Sequence, residues 1–142
     1  MATGIGYRIL LVDDEEDVLY VFRRALEKYG YVVESFSSPE KALERFRANP
    51  KQYDLVVSDV RMPGMTGYEL AQGVRKLNRR VKLMLVSAFD IDARVGEAFF
   101  PELRVSEVLT KPVAYKEICR AVERQLLSSS SSSSSSKAGQ DV

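Results

Sequence analysis

Leu55 Val56 Val57 Ser58 Asp59 Val60 Arg61 Met62 Pro63 Gly64 Met65 Thr66 Gly67 is the stretch from which the rest of the chain can be read. Its apolar run, Leu55 to Val57, reads as a strand buried on both faces, and it stops at one carboxylate followed by a loop of Pro and Gly. That places Asp59 at the carboxyl end of a central strand. In open α/β sheets the loops at those ends form the ligand crevice, so an acid there is well placed for chemistry. Alone, a strand-ending Asp is more often just a turn former whose side chain bonds the next backbone amides.

Working outward, the same pattern recurs on both sides. Tyr7 to Val12 is an apolar run ending in Asp13 Asp14 Glu15 Glu16 Asp17, a strand that delivers acids to its carboxyl end. Val18, Phe22, Ala25, Leu26 and Tyr29 then repeat at helical spacing, and Gly30 supplies a left-handed stop. Tyr31 to Phe36 is a second strand. Ser38 caps a helix with Pro39 in its first turn, Ala42, Leu43 and Phe46 inward, and Asn49 Pro50 at its end. Beyond the opening stretch, Gly67 starts a helix with Leu70, Val74 and Leu77 inward. Val81 to Ser87 is a fourth strand ending in a hydroxyl, and Asp90 to Phe99 reads as a helix with Ile91, Val95 and Phe99 aligned. Pro101 closes it. Val105 to Leu109 is a weaker fifth strand before Thr110 Lys111 Pro112, and Tyr115, Ile118, Val122 and Leu126 mark a last helix from Ala114 to about Leu127.

Strands alternating with helices through short links call for a parallel sheet covered on both faces. The fold expected is α/β: a flavodoxin-like, doubly wound, five-stranded parallel sheet in the order 2-1-3-4-5. One domain is expected over residues 1–127. Residues 128–142 contain an unbroken serine run from Ser128 to Ser136, too polar to bury anything, and read as a disordered tail or linker.

Composition narrows the chemistry. The chain has 142 residues, no histidine, one cysteine and a formal net charge of +1. Imidazole bases, histidine metal ligands and phosphohistidine are therefore excluded. Cys119 excludes an internal disulfide and reads as a small buried hydrophobe on a helix. The charge balance gives no reason for a nucleic-acid or membrane surface, and no apolar run approaches the ~20 residues of a spanning helix. A cytoplasmic protein is expected. Any chemistry falls to carboxylates, hydroxyls and lysines.

Four strands end in such groups: Asp13 and Asp14, Asp59, Ser87, and Lys111. The strand order gathers them around one pocket with Asp59 in the middle. The acidic run also suits a helix N-terminus, where the macrodipole favours carboxylates. Three crowded carboxylates, however, repel one another unless a cation neutralises them, and all-oxygen ligation suits Mg²⁺. An ammonium and a hydroxyl opposite would suit a transferred phosphoryl group.

With these motifs together, residues 7 to about 127 resemble the receiver domain of response regulators in two-component signal transduction, in the form of a single-domain, chemotaxis-regulator-like receiver. The resemblance rests on Leu11 Val12 Asp13 Asp14, on the Asp59 loop through Gly67, on Ser87 Ala88 and on Lys111 Pro112. It implies that Asp59 is the phosphoacceptor, Asp14 a direct Mg²⁺ ligand, Asp13 a ligand acting mainly through water, and the Arg61 backbone carbonyl a further ligand. It implies that Ser87 hydrogen-bonds the phosphoryl oxygen, that Lys111 pairs with it, and that the Lys111 to Pro112 bond is cis. The partners implied are a histidine kinase or phosphotransfer protein and a downstream protein, with no direct nucleic acid or membrane contact, the chain being a monomer or a phosphorylation-dependent dimer. The family commonly has Tyr or Phe three residues before the lysine. Here that position is Val108, which puts the usual aromatic readout in doubt. Residues two after the acceptor and two after the hydroxyl residue, Arg61 and Phe89, are expected to slow loss of the phosphoryl group.

Two other functions compete. A degenerate receiver acting as a constitutive interaction module is favoured by Val108 and opposed by the intact acids, Ser87 and Lys111. A Mg²⁺-dependent phosphatase with Asp59 as nucleophile is opposed by Arg61, which stands where such enzymes usually carry a second Asp as general acid.

Overall fold

The structure, a computed structural model, describes residues 4–88, 94, 96, 98 and 101–127. The expected helix over residues 90–99 and the serine-rich segment 128–142 lie outside the described residues, as does Phe89.

Strands β1 (Arg8–Val12), β2 (Val32–Phe36), β3 (Leu55–Asp59), β4 (Lys82–Ser87) and β5 (Glu107–Thr110) form one sheet in the order β2-β1-β3-β4-β5, every neighbouring pair parallel. Helices α1 (Glu16–Lys28), α2 (Pro39–Ala48), α3 (Gly67–Leu77) and α4 (Tyr115–Leu126) cover it. Alternate strand residues face opposite sides, and here both sides are dry. Ile9, Leu11, Leu55, Val57, Met84 and Val86 pack against α1 and α4, while Leu10, Val12, Val56 and Leu83 pack against α2 and α3. This explains why β1, β3 and β4 read as continuous apolar runs rather than as alternating ones.

Helix starts follow local chemistry. The Ser38 hydroxyl accepts from the Lys41 amide at 3.2 Å, as the sequence indicates. Thr66 and Glu69 form a reciprocal cap on α3, with Thr66 N–H donating to Glu69 Oε1 at 2.9 Å and Glu69 N–H donating to Thr66 Oγ1 at 3.2 Å. Gly30 has φ +92° after α1, the left-handed stop expected there.

Several expectations need correction. Tyr29, Leu77 and Tyr115 are exposed rather than inward. Tyr29 lies at the C-cap of α1, and Leu77 and Tyr115 are the last residue of α3 and the first of α4. Leu19 and Ala71 are buried instead. The fifth strand begins at Glu107 rather than Val105, because residues 101–103 form a short 3₁₀ turn and Val105 packs on the α2 and α3 side before the ladder starts.

Candidate functional site

The site is at the carboxyl edge of β1, β3 and β4 and the loop after β5. Asp59 is the last residue of β3, and parallel pairing sets it beside Val86 of β4. Its backbone is fixed from two sides: the Ser58 hydroxyl donates to the Asp59 carbonyl at 2.8 Å, and the Gly67 amide donates to the Val60 carbonyl at 2.8 Å. The loop turns at Gly64, φ +86°, and returns so closely that a Cβ at position 67 would lie 2.3 Å from the Asp59 carbonyl oxygen. Only glycine fits there.

Around this fixed point the charged groups converge. Lys111 Nζ lies 3.2 Å from Asp59 Oδ2, 3.4 Å from Asp13 Oδ2 and 3.1 Å from Glu15 Oε1. Carboxylate oxygens of Asp13, Asp14 and Asp59 lie within 4.8 Å of one another. Asp59 Oδ1 accepts from the Val60 amide and Asp13 Oδ1 from the Glu15 amide, each at 2.9 Å. Asp13 and Asp59 are buried, at 3% and 6% exposure. Asp14 is more open than either.

The electrostatics are those of a buried acid cluster that Lys111 offsets only in part. Burial, then the Asp13 charge, push Asp59 up to about 6 against the opposing pull of Lys111. Burial likewise raises Asp13. Burial alone would lower the Lys111 ammonium, but its hydrogen bond to Glu15 and the Asp13 and Asp59 charges outweigh it and hold the group above its ordinary value. Two buried carboxylates and a third beside them, all oxygen donors, have one lysine between them. That donor set fits a small hard dication such as Mg²⁺.

Ser87 ends β4 fully buried, and its carbonyl accepts from the Lys111 amide at 2.7 Å, which ties the hydroxyl strand to the lysine loop. The Lys111 to Pro112 bond is cis. Arg61 is exposed on the loop just past Asp59. Thus Asp13, Asp14, Asp59, Ser87 and Lys111 are assembled at one edge, with Arg61 beside them. Glu15 was not among the sequence candidates, although it contacts Lys111. It sits in an acidic run that suits any helix start, and only the fold shows which of those acids turns back to the lysine.

Three comparisons bear on this geometry. The family model for the response regulator receiver domain matches residues 9–123. Response regulator receiver protein CpdR of Brucella abortus is 32% identical over 122 residues, covering 86% of this chain and 98% of that protein. Other relatives are longer, and the chain spans about half or less of them. Among solved structures, a response regulator receiver domain protein from Clostridium thermocellum superposes with a TM-score of 0.75 at 25% identity, over 84% of this chain and 93% of that one. Response regulator protein TrrA of Thermotoga maritima, solved in complex with Mg²⁺ and a beryllofluoride, gives a TM-score of 0.71 at 29% identity, over 84% of this chain and 99% of that one. A parallel sheet of this order, a lysine among clustered aspartates at its carboxyl edge, and these likenesses have one reading: the chain belongs to the response regulator receiver domains of two-component systems.

Proposed function

We propose that this chain is a phosphorylation-controlled switch in which Asp59 accepts a phosphoryl group from the phosphohistidine of a kinase or phosphotransfer protein. The observation that carries the reading is Lys111 Nζ at 3.2 Å from Asp59 Oδ2, beside carboxylates close enough to share one cation. An Asp59 oxygen forms the new bond to phosphorus. The P–N bond of the donor breaks, and its electron pair returns to the imidazole nitrogen. Bound Mg²⁺ would offset the charge gathered on the phosphoryl oxygens, held by Asp13, Asp14, Asp59 and the Arg61 carbonyl. Lys111 holds a phosphoryl oxygen by a charge-assisted hydrogen bond, and Ser87 holds another. The chain acts on no separate substrate, and its output is contact with a downstream protein. TrrA, similar over nearly its whole length, supports the Mg²⁺ and phosphoryl reading through its bound Mg²⁺ and beryllofluoride.

The test is incubation with Mg²⁺ and acetyl phosphate, followed by intact-mass measurement. The parent chain gains one phosphoryl group, gains none when Mg²⁺ is chelated before acetyl phosphate is added, and Asp59→Asn gains none. Label on Asp59→Asn would move the acceptor elsewhere. No label on the parent, together with unchanged binding of a partner, would favour the constitutive module.

A further inference from the structure

Five of the eight residues from Arg75 to Lys82 are cationic and none is acidic, in a chain whose net charge is +1. Basic side chains in the last turn of a helix suit its macrodipole, which accounts for Arg75 and Lys76 at the end of α3. It does not account for Arg79, Arg80 and Lys82, which follow the helix, or for Arg104, which reaches the same corner from the turn before β5. The corner lies at the amino end of β4, whereas Ser87 and the acid cluster lie at the carboxyl end, about 17 Å away at the rise of a strand.

The fold makes this corner concave and fixes its walls. A hollow of 680 Å³ is lined by Gln72, Arg75, Lys76, Arg79, Leu103 and Arg104, with Glu102 the one acid beside them. Arg75, half-buried, ties the walls together. Its Nε donates to the Leu103 carbonyl at 2.6 Å, Nη1 to the carbonyls of Val81 at 2.6 Å and Asn78 at 3.4 Å, and Nη2 to the Arg104 carbonyl at 3.3 Å. The Asn78 side chain pins the loop that carries Arg79 and Arg80: its Oδ1 accepts from the amides of Arg80 and Val81 at 2.8 and 3.0 Å, and its Nδ2 donates to the Pro50 carbonyl at 2.8 Å. Arg104 is held at φ +49°, a left-handed conformation uncommon outside glycine, and its Nη2 donates to the Arg79 carbonyl at 2.9 Å.

The charge gathered here has no counter-ion among the described residues. Every partner of the Arg75 and Arg104 guanidiniums is a carbonyl. Burial, then the Arg104 charge, pull Arg75 below its ordinary value, the reverse of what a neighbouring carboxylate does. Lys76 and Arg79 are exposed, and their side chains make no hydrogen bond or ion pair with any described residue. Guanidinium forks match phosphate oxygens. The four cations lining the hollow exceed its one acid by three, and a single phosphate group carries only about two charges near neutral pH. Two or three linked phosphates match that surplus, and a hollow of this size admits them. The carboxylates of an acidic peptide are single charges spread along a chain, a poorer match to cations drawn together from two elements.

We propose that the hollow between α3 and the turn before β5 binds a chain of linked phosphate groups, free or carried by a nucleotide. Lys76, Arg79 and Arg104 hold the phosphate oxygens, and Arg75 is a positioning residue that sets the walls. The site shares no residue with the phosphoacceptor edge and does not rest on that reading.

The test is calorimetric titration of the full chain with sodium triphosphate, with ATP and with orthophosphate, each with chelator present so that no divalent cation links the anion to the acid cluster. Triphosphate is expected to saturate a single site. The paired variant Lys76→Gln with Arg79→Gln should raise its Kd about tenfold or more, since two charge-assisted contacts are lost, and should keep the parent's melting temperature. Removing the same charge on the opposite face of the sheet, with Arg24→Gln and Lys28→Gln on α1, should leave Kd within about twofold. ATP binding more tightly than triphosphate upholds the site and assigns it to a nucleotide; ATP binding no more tightly upholds it as a site for free polyphosphate. Orthophosphate binding as tightly as triphosphate, equal losses in the two paired variants, or no saturable binding by the parent overturns the proposal. So does tighter binding of a short polyglutamate peptide, which would make the corner a docking surface for an acidic protein. Asp59→Asn should bind triphosphate as the parent does, so that failure of this site and failure of the phosphoacceptor reading are told apart.

Discussion

Asp59 is held at a cost to the metal-free protein. Its carboxyl is raised from 3.8 to about 6 by burial and by Asp13, so the folded state favours the protonated form. A raised carboxyl has its most favourable effect on folding below its unfolded value, and that effect is lost as pH rises through the folded one. Above pH 6 the ionised group therefore destabilises the fold, by roughly 3 kcal/mol at about 1.4 kcal/mol per unit. Asp59→Asn keeps the shape and removes the buried charge; its one amide oxygen can keep the hydrogen bond from the Val60 amide, while the contact with Lys111 is lost. Without divalent cations at pH 7.5 the variant should unfold at a higher temperature than the parent, with the difference closing below pH 4. Thermal unfolding across that range checks it, and a less stable Asn variant at pH 7.5 would mean that the carboxylate is already neutralised by Lys111. Glu15 should behave differently. Its contact with Lys111 is at the surface, the Glu15 side chain being 61% exposed, so Glu15→Gln should change stability by less than about 1 kcal/mol.

Between the elements, the return of the β3 to α3 loop is the tightest feature near the site. A Cβ at Gly67 meets backbone, the Asp59 carbonyl oxygen at 2.3 Å and Val60 Cα at 2.9 Å, and backbone cannot rotate away. Gly67→Ala should cost about 2 to 4 kcal/mol and lower acetyl phosphate labelling, because the carbonyl that must move belongs to the acceptor. Gly73, in the middle of α3, is the control. Its added Cβ meets only the end of the Leu43 side chain, at 2.8 Å, which can turn, while helix propensity gains up to about 1 kcal/mol. Chemical denaturation should place Gly73→Ala within about 1 kcal/mol of the parent and Gly67→Ala far below it; equal losses would mean that Leu43 is as rigid as backbone. These elements also show what periodicity can and cannot reveal. The apolar runs of β1, β3 and β4 and the cap at Ser38 were readable because each follows from local composition. Tyr29, Leu77 and Tyr115 were misplaced because spacing assigns a face without showing how far along it the burial extends, and all three sit at helix ends. Asp13, Asp14, Asp59, Ser87 and Lys111 were legible as strand ends once the strand order was drawn. Glu15 was not, since its position depends on how the start of α1 turns back toward Lys111 in three dimensions.

Across the whole molecule, two sets of carboxylates respond to pH in opposite directions. Glu34 of β2 joins Arg8 of β1, Arg45 of α2 and Tyr53 before β3. Burial would raise Glu34, yet the hydrogen bonds from Tyr53 and Arg45 outweigh it and hold the group below its ordinary value. Glu107 of β5 is likewise lowered, its burial outweighed by hydrogen bonds from Arg124 and Gln125 of α4. A lowered carboxyl contributes stability above its unfolded value that is lost as pH falls through the folded one. The network that joins strands to helices therefore weakens on the acid side of about pH 4.5. The Asp59 edge weakens in the opposite sense, as pH rises from about 4 through about 6 and its carboxyl ionises. Without divalent cations the melting temperature should therefore peak near pH 4, where the acid limb ends, fall as pH rises to about 6, and level off toward neutrality. If the acidic cluster holds Mg²⁺ as proposed, saturating Mg²⁺ would bind the folded state alone and add stability that grows with the logarithm of its concentration. It should remove the fall toward neutral pH and leave the acid limb, set by Glu34 and Glu107, where it was. Melting curves from pH 3.5 to 8 with chelator and with Mg²⁺ decide the matter. A decline that persists under Mg²⁺ would mean that Asp13, Asp14 and Asp59 do not hold the cation, and the same decline in Asp59→Asn would place its origin in a group other than Asp59.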